Sequence, residues 1–274
     1  MEYKFSYTRR GTMFGKLADA HSMEFRPARS HMQRGFHGAK RAGILVTALF
    51  LPVFVLSVIS EMQAQAASTP YPRMAPLDQY LIADQNVEIA LARSAAPKSI
   101  SDSAEVLTLG RHGYEAAVKG TNGFVCLVER GWAAGIDDPN FWNPKLRGPL
   151  CLNAPAVRSY LPITIEKTKL VLSGKSKSQM FDAIKSAFEK KALPTQEPGA
   201  MCYMLSKDGY LNDQAGHWHP HLMFFVPLTE AKAWGADMPG SPILASEDAP
   251  DRLTIFMVPV AEWSDGTPDS VHNH

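Results

Sequence analysis

Residues 114–130 read YEAAVKGTNGFVCLVER. Two β-prone runs, 114–119 and 124–130, flank Gly120-Thr121-Asn122-Gly123. Asn and Gly both tolerate positive φ, so the spacing predicts a β-hairpin turning at Asn122-Gly123. Residues 124–128 (FVCLV) are apolar on both faces, which predicts an interior strand. A further strand is expected just upstream at 105–109, EVLTL. The chain before that, Leu77 to Ala95, holds no Gly or Pro and reads as one helix closed by Pro97.

Downstream, 131–155 carries Asp137, Asp138, four prolines and the aromatics Phe141 and Trp142. It reads as a long irregular loop packed by its own aromatics. The adjacent Asp137-Asp138 pair reads as a solvated turn rather than a cation site. Residues 156–172 form a helical stretch interrupted by Pro162. Residues 177–191 are the cleanest helix, with a capping-box pattern at Ser176 and Gln179 and Met180, Phe181, Ile184, Ala187 and Phe188 on one face. Strands are expected at 200–205, 221–226 and 253–258, and a short helix capped by Thr229 ends near Gly235. Strands and helices are segregated rather than alternating. The expected fold is therefore α+β, with a mostly antiparallel sheet of five to six strands and helices packed on it, in a single domain over 67–274.

Composition bounds the function. With 274 residues, 45% of them apolar, the chain can bury a core, so wholesale disorder is excluded. A formal net charge of +1 argues against nucleic-acid binding by general basicity. Charge is uneven: residues 1–66 hold 9 of the 28 Lys and Arg and 4 of the 27 Asp and Glu, a balance of +5, and the remainder balances at −4.

That basic front reads as an export leader. Residues 42–59 (AGILVTALFLPVFVLSVI) carry no charge, Lys40 and Arg41 precede them, and Ala64-Gln65-Ala66 offers small residues at −3 and −1 for cleavage after Ala66. The apolar stretch enters the bilayer while the basic flank stays on the cytoplasmic side. Met32 is the simpler start, leaving 1–31 as an over-extended reading frame. The expected destination is the periplasm or the exterior. The rival is an anchor retained at 42–59, since that length sits near the lower limit for spanning. Contact with the membrane is expected only through this segment.

The chemically unusual stretch is Gly216-His217-Trp218-His219-Pro220-His221. In extended chain, His217, His219 and His221 project to one side. Neutral imidazoles at that spacing suit a transition metal, whether zinc, copper, iron or nickel. His112, Asp213, Glu262 or Asp265 would complete such a site or supply a base. Set against this, the rings can simply bond within a Gly-led loop broken by Pro220. Of the three cysteines, Cys126 and Cys151 are the preferred disulfide pair, because an exported chain meets an oxidising compartment. Three buried free thiols acting as small apolar groups are the more economical reading. Trp142, Trp218 and Trp234 read as core rather than pocket lining. Gly174-Lys175-Ser176 lacks the earlier glycine of a phosphate-binding loop.

With GTNGFVCLVERGW at 120–132, FWNP at 141–144 and GHWHPHLMFF at 216–225, the chain resembles exported bacterial proteins of unknown function across most of the body. The resemblance implies a bacterial source and export, and assigns no residue a role. In order of elements alone it is also similar to PAS and Cache sensor domains, a likeness that fixes no function. The expected function is a non-catalytic domain binding a metal ion or small molecule at His217, His219 and His221. The alternatives are a metal-dependent hydrolase on the same histidines, with Asp213 or Glu262 as base, and a structural envelope protein.

Overall fold

The structure, a computed structural model, describes residues 70–213 and 215–270. The leader expected over 1–66 and the terminal His272 and His274 lie outside them. Among the described residues no helix is long and apolar enough to cross a membrane.

An eight-stranded sheet organises these residues. Its strands are β1 (Glu105–Gly110), β2 (Gly113–Val118), β3 (Val125–Glu129), β4 (Gly148–Leu152), β5 (Met201–Met204), β6 (His221–Pro227), β7 (Leu244–Asp248) and β8 (Leu253–Pro259). Spatial order is β2-β1-β3-β4-β5-β6-β8-β7. Every neighbouring pair is antiparallel except β1 and β3, which run parallel. The fold is α+β, with eight strands where five to six were expected.

The hairpin turns elsewhere than the sequence suggests. It joins β1 to β2 through Gly110–Gly113, and Gly113 sits at φ 124, open to glycine alone. No hairpin forms at Asn122-Gly123. Residues 119–124 instead cross under the start of β1 and deliver β3 to its far side. A Cβ on Gly120 would lie 2.1 Å from the Glu105 nitrogen, so the crossing requires glycine. Asn122 accepts from the Phe124 N–H and donates to the Ile100 carbonyl, pinning the crossover. The physical reason is burial. All five residues of β3 are buried, so it needs neighbours on both edges, whereas β2 is an edge strand with exposed positions.

The two strands absent from the sequence reading have separate causes. β4 contains Pro149, which argues against a central strand. Cys126 and Cys151 are opposed with Cα atoms 4.0 Å apart, the spacing of a non-hydrogen-bonded pair. Pro149, two residues earlier, therefore turns its nitrogen away from β3, and β5 pairs with β4 only at Cys151 and Leu152. No ladder bond is lost. β7 reads LASED, with two acids and only Ala245 and Ser246 buried, the profile of a sheet edge.

Five helices cover the sheet: α1 (Gln85–Arg93), α2 (Lys98–Ser101), α3 (Ala154–Ser159), α4 (Leu161–Leu172) and α5 (Lys177–Glu189). The single helix expected over 77–95 is a 3-10 turn at Leu77–Gln79 and then α1, because Asp84 accepts from the Asn86 N–H and starts the helix there. The stretch 156–172 divides at Tyr160, with Asn153 capping α3 and Pro162 in the first turn of α4. α5 carries the full capping box at Ser176 and Gln179, and buries Met180, Ile184 and Phe188; Phe181 is exposed. Glu230, not Thr229, precedes the short 3-10 helix Ala231–Trp234.

Alternation along β3 sorts the core. Val125 and Leu127 pack with Leu150, Leu152 and the α3–α5 residues Ala156, Tyr160, Ile163, Ile184 and Phe188. Cys126 and Val128 pack on the opposite face with Ala92 of α1. The same alternation carries the last two polar residues to opposite faces, Glu129 toward α4 and Arg130 toward α1. The loop after β3 buries Trp132, Phe141 and Trp142 with Tyr80. Asp138 in that loop is buried, not solvated, and its carboxylate accepts from the Asn140 N–H.

Candidate functional site

The histidine segment lies where β6 begins and β8 ends, and Val260 N–H donates to the Pro220 carbonyl there. β6 starts only at His221, so the alternation expected to align three imidazoles does not extend back to His217. Gly216, at φ 70, turns the chain just before it.

Each ring has its own local anchor. His217 is exposed, its ring edge-on to Trp263 with centroids 5.8 Å apart, and its Nδ1–H donates to the Trp218 carbonyl at 3.1 Å. The His221 Nδ1–H donates to the His219 carbonyl at 2.7 Å. A carbonyl can only accept, so both rings carry their proton on Nδ1 when neutral. Burial lowers the pKa of His221, favouring the neutral ring. His219 is half-buried at 28% side-chain exposure, and its Nδ1 meets Asp269 Oδ2 at 2.7 Å. Asp269 is buried. A carboxylate on one ring nitrogen fixes an imidazole's orientation.

The three rings do not share a point. His217 and His219 have centroids 6.5 Å apart with planes at 83°. Two imidazoles on one ion keep their centres within roughly 6 Å, given metal–nitrogen bonds of about 2 Å. Among the described residues no group of three or more His, Cys, Asp or Glu is arranged to hold a metal ion.

The other candidates are scattered. His112 occupies the β1–β2 turn, exposed, four to five strand positions from β6 and so roughly 20 Å away across the sheet. Asp213 binds Lys145, Tyr71 and Tyr210 on the surface, and these donors hold its carboxyl well below the usual range. It is thereby a poor base. Glu262 is exposed and its backbone bridges to Pro268; Asp265 pairs with Lys207. Cys126 and Cys151 form a disulfide between β3 and β4. Cys202 is a buried free thiol, its pKa pushed up by burial. Trp142 and Trp218 are buried, but Trp234 is 56% exposed and lies against Phe256.

Asp269 and Trp263 are the site residues the sequence does not single out. Asp269 meets His219 across 50 positions, and no local pattern signals that pairing. A second polar group is interior. Glu129 Oε1 accepts from Tyr160 and Thr164 at 3.1 and 3.0 Å. Burial pushes its carboxyl up to about 7, although both hydroxyls and the Lys167 ammonium pull it down. Its signal in sequence is a charge closing an otherwise wholly apolar strand.

Compared with known proteins, the chain matches no family model, no curated protein and no solved structure.

Proposed function

We propose that this chain is an exported bacterial protein whose α+β body is a non-catalytic binding domain, taking a small ligand at the His217–His219–Asp269 end of the sheet. The observation that carries this reading is the His219–Asp269 contact. A buried carboxylate fixes a half-buried imidazole beside an exposed one, at a position where Trp263 lies edge-on to His217 and Trp218 edge-on to His221. Such a surface offers imidazole nitrogens and aromatic contact to a small polar or anionic molecule. The Cys126–Cys151 disulfide supports export, because bonds of this kind persist in oxidising compartments.

Binding through a transition metal has narrower support. It would use His217 and His219, with a small shift of their rings, rather than all three histidines. A hydrolytic reading has less again, since Asp213 is committed to its surface cluster and Glu262 is exposed.

Zinc, copper and nickel titrations, followed by a panel of small carboxylates and phosphates, test the reading by thermal shift on the full chain. A ligand that stabilises the parent and not His219→Ala or Asp269→Ala supports it. Stabilisation retained in both variants refutes the site, and His112→Ala should leave every shift unchanged.

A further inference from the structure

Glu129 closes β3 directly opposite Gly148 of β4. A Cβ on Gly148 would lie 3.5 Å from the Cβ of Glu129 and 3.8 Å from Cη2 of Trp218. The Glu129 side chain and the indole thus both border this glycine. Gly209 completes the cradle, since a Cβ there would stand 2.5 Å from Cζ2 of Trp218. Trp218 is 6% exposed, and its Nε1–H has no hydrogen-bond partner among the described residues. A buried, unpaired donor is costly, so this closed position is not deeply favoured by polar contacts.

The Glu129 carboxyl is held by hydroxyls rather than by a bonded cation, Tyr160 and Thr164 both donating to Oε1. Around it stand Tyr114 from β2, Tyr160 from the α3–α4 junction and Lys167 from α4. Cys202 from β5 also faces it, and Asp251, from the turn before β8, acts on Tyr160 and pairs with Lys167. Arg147, just before β4, acts on Tyr114, and Arg130 points to the opposite face, where Glu88 holds it. His217, His219 and His221 are the titratable groups on the segment that bears Trp218.

We propose that Glu129 is a proton-operated latch: while its carboxyl is neutral, Trp218 lies closed over the end of β3, and ionisation loosens the indole and the histidine segment with it. A neutral carboxyl sits comfortably among apolar side chains. A carboxylate needs water or further donors, and the adjacent segment, shaped by Gly209 and Gly216, is the cover that can admit them. The latch deepens the binding proposal by giving that surface a control, and depends on it only for what the control serves.

The test reads Trp218 directly. Acrylamide quenching of the full chain is measured from pH 5 to 8.5 and compared with Trp218→Phe, so that the difference isolates this indole. Quenching of Trp218 should rise severalfold through about pH 7 in the parent and stay low throughout in Glu129→Gln. A flat parent profile overturns the proposal, as does an unchanged rise in Glu129→Gln. Should Glu129→Gln fail to fold, Thr164→Val serves instead. It removes a donor to the charged form, so the midpoint must move to higher pH, and an unmoved midpoint overturns the latch. Gly209→Ala displaces the indole without touching Glu129 and should give high quenching at every pH; low quenching there contradicts the cradle. No arm reads ligand binding. An inert histidine surface therefore leaves a positive result standing, and a pH-independent Trp218 leaves the binding reading standing.

Discussion

Cys126 and Cys151 face each other across β3 and β4, two neighbouring antiparallel strands buried in the middle of the sheet, and their sulfurs are bonded. Closing a loop over a sequence separation of 25 should stabilise the folded chain by roughly 3 kcal/mol through the unfolded state. The strands already pair, so the reduced chain is expected to keep its fold with a lower urea midpoint. Coincident urea curves for reduced and oxidised protein would show that the bond contributes nothing.

Gly120 stands where the crossover passes the start of β1. Alanine there would place a carbon 2.1 Å from the Glu105 backbone nitrogen, and backbone cannot rotate aside as a side chain does. Gly120→Ala is expected to cost more than about 3 kcal/mol, the range of severe steric lesions, and to abolish soluble protein at 37 °C. Gly174→Ala is the comparison: nothing lies within 4 Å of its added carbon, although its φ of 74 adds strain, so its loss should be about 1 kcal/mol. Equal midpoints for the two variants would mean that the β1–β3 crossing is not packed as described.

These cases mark where the sequence was legible. Helix α5 announced itself because its cap, its apolar face and its stop all lie within one window. β1, β2 and β3 were legible as strands, yet their pairing was not, since Asn122-Gly123 serves a hairpin and a pinned crossover equally well. The choice fell to burial on both edges of β3, a property of the whole sheet. β4 was hidden by Pro149, whose cost vanishes only when its neighbours across the ladder are known. At the histidine segment the residues stood out and their geometry did not. Alternation presumed a strand that begins four residues later than His217, and Asp269 comes from a part of the chain no local pattern connects to His219.

Stability should fall as pH rises from about 4.5 to about 7 on account of Glu129. The folded carboxyl keeps its proton above the pH at which the unfolded one releases it, so the native state binds more protons in that window and the slope is negative. At about 1.4 kcal/mol per unit the loss approaches roughly 3 kcal/mol, and it levels off above the folded value. Glu129→Gln cannot ionise and should remove this component from a series of denaturant titrations between pH 4 and 8. An identical slope in parent and variant would place the titration in some other group.

Lys167 and Asp251 form an ion pair with both side chains almost fully enclosed, at 1% and 5% exposure. The ammonium also donates to the Ala134 carbonyl, so one side chain of α4 ties down both the loop after β3 and the turn leading into β8. Burial opposes the charge on Lys167, but the carboxylates of Asp251 and Asp248 hold it protonated. Removing one partner strands the other: Lys167→Met leaves Asp251 as an uncompensated buried acid and should cost about 3–5 kcal/mol. Replacing both, Lys167→Met with Asp251→Leu, removes the two desolvation penalties together. The double variant should then be more stable than Lys167→Met alone, with a coupling energy of at least about 1 kcal/mol in the double-mutant cycle. Additive losses would mean that the two charges do not sense each other, and that Lys167 acts through its carbonyl bonds to the loop after β3 rather than through the pair.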